Sequence, residues 1–77
     1  MSKAELKLQS LYGRLSRREK ILADFILANR ERVPALSVYE IARAGSVSAA
    51  TVSRLARKLG YPALKDLKLE LARESST

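Results

Sequence analysis

The sequence predicts an all-α, five-helix domain with no strand. Three patterns carry that expectation. Apolar residues return at i, i+3, i+4 and i+7 and not at every second position. Ser-x-x-Glu capping boxes stand before two of the apolar runs, at Ser16–Glu19 and Ser37–Glu40. Glycine and proline fall between the runs and not within them.

The first helix is expected over residues 3 to 12, with Ala4, Leu8 and Leu11 on one side, Leu15 beyond and Gly13 ending it. Ser16-Arg17-Arg18-Glu19 opens the second, turning Ile21, Leu22, Phe25 and Ile26 inward until it stops near Asn29 to Glu31, ahead of Val33-Pro34. Ser37-Val38-Tyr39-Glu40 opens the third, which carries Ile41 and Ala42. Gly45 or Ser46 supplies a bend, Val47 plugs the gap behind it, and Ser48 caps a fourth helix near 49 to 59 with Val52, Leu55, Ala56 and Leu59 on its apolar stripe. After Gly60, Tyr61-Pro62 suits the first turn of a fifth helix bearing Leu64, Leu67, Leu69 and Leu71.

The third and fourth helices are two short helices joined by a tight turn. With Val52 at the centre of the buried face and 100° per residue, Ala50, Arg54 and Arg57 fall opposite, Thr51 and Lys58 on one flank, Ala49 and Ser53 on the other. That outer face is small, hydroxylated and basic. It suits a major groove about 12 Å wide, where small side chains allow close approach, hydroxyls reach phosphates and arginines reach guanine edges. Ser48, Thr51 and Ser53 are expected at phosphates, Ala49 and Ala50 at the close approach unless Ala50 instead touches a thymine methyl, and Arg54 and Arg57 at bases or bracing them. Lys58, Lys65 and Lys68 are expected to neutralise backbone charge. Ser37 caps the helix crossing the DNA backbone, and Tyr39 beside it either donates to a phosphate or is a half-buried surface ring.

Composition agrees with a polyanionic partner. The 77 residues make one domain with a formal charge of +7, and residues 43 to 68 hold Arg43, Arg54, Arg57, Lys58, Lys65 and Lys68 against Asp66 alone. The chain has neither cysteine nor histidine, which removes disulfides, the usual zinc sites and Cys or His nucleophiles. Glu19 and Glu40 are accounted for as capping residues. The expectation is therefore a non-enzyme without cofactor or metal. No apolar run approaches the roughly 20 residues of a membrane span, and no signal core follows the N-terminus, so a cytoplasmic location without membrane contact is expected.

The chain resembles the N-terminal helix-turn-helix domain of the RpiR family of bacterial transcriptional regulators, from about Leu15 to Ala72. The likeness rests on Leu15-Ser16, Ile21-Leu22-Ala23-Asp24-Phe25-Ile26, Asn29, Val33, Ser37, Ser48-Ala49-Ala50-Thr51-Val52-Ser53-Arg54, Arg57-Lys58-Leu59-Gly60-Tyr61 and Asp66-Leu67-Lys68. The resemblance implies a homeodomain-like helix-turn-helix domain over 1–72 and the start of a linker at 73–77. It further implies a following sugar isomerase-like (SIS) domain that senses phosphosugars and forms the homodimer, with target genes in sugar metabolism. One departure stands in the turn, where the family's Ala-Gly-Val is Gly45-Ser46-Val47 here. Ser46 in a left-handed conformation costs about 1 kcal/mol that glycine does not, so either the turn shifts or it is strained.

Two alternatives remain open. A LacI-like headpiece or small phage repressor shares Thr51-Val52-Ser53-Arg54 but not the capped helix at 16 to 29 or the final helix. A helical adaptor or dimerisation module would instead present Leu6, Leu8, Leu11 and Leu15 to a partner.

Overall fold

The computed structural model describes residues 3–75. Among them are five α-helices and no strand: α1 (Lys3–Leu11), α2 (Arg17–Ala28), α3 (Val38–Ala44), α4 (Ala49–Lys58) and α5 (Leu64–Ser75), with 3-10 turns at Tyr12–Arg14 and Val33–Ala35. α2, α3 and α4 pack on one another. α5 packs on α4 and on the 3-10 turn Val33–Ala35, and α1 packs on α5.

Both capping boxes form. Ser16 Oγ accepts the Glu19 N–H at 3.2 Å while Glu19 Oε1 accepts the Ser16 N–H at 2.9 Å, and Ser37 and Glu40 make the same exchange at 3.1 and 2.9 Å. Each box satisfies donors that a helix start leaves without an intrahelical partner. The core beneath is contiguous, with Leu8, Leu22, Ile26, Val33, Ile41, Val52, Leu55, Leu67 and Leu71 fully buried. Each such side chain contributes about 1.5–3 kcal/mol of transfer free energy. Leu8 and Leu15 belong to this core and Leu11 packs against it, so the leucines that would have served a partner-facing stripe are largely spent on the fold, leaving Leu6 exposed.

Several boundaries differ from the sequence reading. α1 ends at Leu11, and Gly13 sits inside the following 3-10 turn. α5 begins at Leu64, two residues after Pro62, where the Asp66 carboxylate accepts the Ala63 N–H at 3.1 Å. Ile21 is exposed and not inward, because the buried stripe of α2 runs through Glu19, Leu22, Ala23 and Ile26 and Ile21 lies about 200° around the helix from Ala23. The expected linker at 73–77 is helical as far as Ser75; Ser76 and Thr77 lie outside the described residues.

The turn between α3 and α4 keeps its register and accepts the strain. Ser46 has φ +57°. The Val47 N–H reaches the Ala42 carbonyl at 2.9 Å and the Ser46 N–H reaches Arg43 at 3.2 Å, the Schellman pattern in which the residue after the C-cap is left-handed. α4 ends the same way, with Tyr61 bonded to Ala56, Gly60 to Arg57, and Gly60 at φ +96°. Gly45 is needed for a different reason, since a Cβ there would stand 2.9 Å from Leu22 Cδ1, so the missing side chain lets α3 close on α2.

Candidate nucleic-acid interface

α4 presents the expected face. Ala50, Arg54 and Arg57 are exposed, Thr51, Ala49 and Ser53 are half-buried on the flanks, and Val52, Leu55 and Ala56 are buried beneath. Ser48 is the N-cap, its Oγ accepting the Thr51 N–H at 3.1 Å. The same oxygen lies 3.0 Å from Thr51 Oγ1, and Arg54 Nη2 donates to Thr51 Oγ1 at 3.2 Å. Of the two hydroxyl protons in this chain, one is used between Ser48 and Thr51 and one remains to donate outward. Arg54 is thereby drawn back toward the first turn of α4, the end with least side-chain bulk.

α3 packs directly on α4. Ser37 makes both bonds of its capping box and keeps an exposed hydroxyl whose proton can still donate outward, and Tyr39 is 73% exposed, which removes the half-buried alternative for its ring. The Ser37 N–H and hydroxyl hold the Glu40 carboxyl below its ordinary value, with Arg43 and Lys68 adding to the effect. Lys65 is exposed at the start of α5.

Two of the lysines expected to neutralise DNA backbone charge have acceptors inside the protein. Lys58 Nζ donates to both Glu19 oxygens, at 3.0 and 2.7 Å. Lys68 Nζ donates to the Leu36 carbonyl at 2.6 Å, bracing α5 against the residue before the α3 cap. Glu19 is almost entirely buried, and its carboxyl is held below the ordinary range first by the Lys58 bond and then by the Ser16 N–H. Its capping role was legible in the sequence; its second role, tying the start of α2 to the end of α4, has no local signal. Tyr61 secures the same end of α4. Its buried ring lies under Lys7 Nζ, 4.2 Å from the centroid, and its hydroxyl donates to Glu70 at 3.2 Å. Burial first, then the Glu70 charge, pushes that hydroxyl up to about 12.

Among the described residues no cluster of three or more acidic, histidine or cysteine side chains stands ready for a metal ion. No helix among them is long and apolar enough to cross a membrane.

A capped helix with a small, basic outer face, set by a tight turn on a shorter helix, defines a helix-turn-helix domain of the DNA-binding class. The chain belongs to the rpiR family of such domains, whose model matches residues 2–77. Its backbone is similar to the N-terminal domain of the transcriptional regulator ybbH of Bacillus subtilis, with a TM-score of 0.85 and 33% identity over 94% of this chain and 88% of that one. It is 40% identical over 70 residues to the HTH-type transcriptional regulator in the aarA 3′ region of Providencia stuartii, covering 91% of this chain and 25% of the relative. The HTH-type transcriptional regulator HexR of Pseudomonas aeruginosa is 33% identical over 66 residues, covering 86% of this chain and 23% of the relative. The chain thus spans about a quarter of the length of these curated relatives. The relatives are transcriptional regulators, and membership of this family implies binding to DNA.

Proposed function

We propose that this chain is the DNA-reading part of a transcriptional regulator of sugar metabolism, placing α4 in the major groove of duplex DNA. The observation that carries the reading is the face Ala50–Arg54–Arg57, exposed on a helix whose opposite side is locked into the core. Arg54 and Arg57 read or brace bases, Ala49 and Ala50 permit close approach, Ser48, Thr51 and Ser53 meet phosphates, and Tyr39 and Lys65 reach the flanking backbone. Lys58 and Lys68 act chiefly as struts, given their intramolecular acceptors.

In this reading, effector sensing and homodimerisation belong to a sugar isomerase-like domain beyond this chain. A phosphosugar site needs a concave surface with several convergent donors, and a small helical domain whose basic face is turned to DNA has little surface left for one. One headpiece also fills one half-site, so its affinity alone is weak. Selection of duplexes from a random pool, followed by titration of the winner, tests the proposal. Enrichment of a defined half-site with a steep salt dependence is expected; recovery of a random pool sinks it. Saturable shifts on titrating the isolated chain with phosphosugars would place sensing here instead.

A further inference from the structure

The first turn of α2 carries a basic cluster that the helix-turn-helix reading does not use. Arg14 closes the 3-10 turn before α2, Arg17 and Arg18 are the first two residues of α2, and all three are exposed. The ion pairs seen among the described residues, Arg30 with Glu5 and Lys58 with Glu19, do not involve them. The fold gains nothing electrostatic from two cations in this place, because the free N–H groups of a helix start already carry partial positive charge and favour acids. The acid in this turn, Glu19, is taken up by Lys58 and the Ser16 N–H, so it does not neutralise its neighbours.

The position of the cluster is set by that same pair. Lys58 is the last residue of α4 and lies on its Thr51 flank, so the Glu19–Lys58 bond places the start of α2 beside the C-terminal end of α4. The 10 residues of α4 run about 15 Å. A helix of that length with its first turns in the groove brings its last turn out to the phosphate wall. Arg17 and Arg18, two and one residues before Glu19, therefore stand near the last turn of the helix that carries Arg54 and Arg57.

Resting on the DNA-binding reading above, we propose that Arg14, Arg17 and Arg18 clamp the phosphate backbone of the same duplex, flanking the groove that α4 enters, with Glu19–Lys58 as the strut that holds the clamp in place. The clamp adds affinity and no sequence preference, because phosphates are alike at every step.

The test compares the wild-type chain with Arg14→Gln, the pair Arg17→Gln/Arg18→Gln, and Arg57→Ala, by fluorescence anisotropy on a selected duplex and on a random one. Between about 50 and 200 mM salt, each lost phosphate contact is expected to flatten the slope of log K against log salt by about 0.9. The Gln pair should flatten it equally on both duplexes, with unchanged base preference and a thermal melt no lower than wild type. A wild-type slope in the Gln variants overturns the clamp, as does a flattening confined to the selected duplex. A lowered melt with an unchanged slope also overturns it and makes the arginines structural. If Arg57→Ala alters binding while the Gln variants keep the wild-type slope, only the clamp falls; if the wild-type chain binds no duplex at any salt, the DNA reading falls and the clamp with it.

Discussion

The Glu19 carboxylate, at the start of α2, holds the Lys58 ammonium from the end of α4 between its two oxygens, at 3.0 and 2.7 Å. The bond spans 39 residues of sequence and joins a nearly buried acid to a lysine whose side chain is 50% exposed. Half-exposure screens the pair, so its worth is well below that of a dry one. Lys58→Met is expected to lower stability by about 1 kcal/mol near neutral pH. Because the folded-state carboxyl lies below its ordinary 4.5, the stabilisation is present above 4.5 and is lost as the pH falls through the depressed folded value. Denaturant melts of both proteins at about pH 7 and about pH 3 should show the difference closing in acid; an equal deficit at both would mean that charge is not its cause.

Ser46 and Gly60 hold the same place in two Schellman ends, one with a side chain and one without. Ser46→Gly is expected to raise stability by about 0.5–1 kcal/mol by removing the left-handed penalty. Gly60→Ala is expected to lower it by about 1 kcal/mol, and backbone conformation is the whole cause, since no atom lies within 4 Å of the added Cβ. Thermal melts without DNA report both. A Ser46→Gly protein no more stable than wild type would show that the serine conformation costs nothing here.

Ser37 satisfies the Glu40 N–H at the start of α3, a helix of 7 residues that cannot stand on its own. Ser37→Ala should therefore cost about 0.5–2 kcal/mol, and Ser16→Ala a similar amount at α2. Differential scanning calorimetry checks this directly, and an unaltered melting temperature for Ser37→Ala would place the helix start elsewhere.

Arg54 leans on Thr51, and the two should be separable on DNA. Arg54→Ala is expected to cost about 1–3 kcal/mol on the selected site and to relax preference at one base pair. Thr51→Val keeps the backbone N–H that Ser48 caps but removes the oxygen that holds the guanidinium. It should relax preference at that same base pair with a smaller loss. Binding to a panel of single-base variants gives both profiles; identical, sequence-blind losses would mean that Arg54 touches only phosphate.

What the sequence determined by itself was whatever depends on neighbours a turn or two away. The capping boxes at Ser16 and Ser37, the stripe of α4 and the exposed set Ala50–Arg54–Arg57 follow from spacing, because a hydrogen bond from Ser37 Oγ to the Glu40 N–H or a 100° step between side chains involves only local chain. The family resemblance was legible for the same reason, since its motifs are caps, turns and helix faces.

Tertiary structure alone decided where those faces meet. Ile21 and Leu22 are adjacent and alike, yet one is exposed and the other buried, because the orientation of α2 is set by what packs on it. Lys58 and Lys68 read as free cations until folding brought Glu19 and the Leu36 carbonyl, 39 and 32 residues away, into bonding distance. The turn was settled in the same way. Gly45 sits against Leu22, so the residue without a side chain serves the contact between α3 and α2. The left-handed position falls to Ser46, since long-range packing fixes the register of a turn that local preference would have placed one residue earlier.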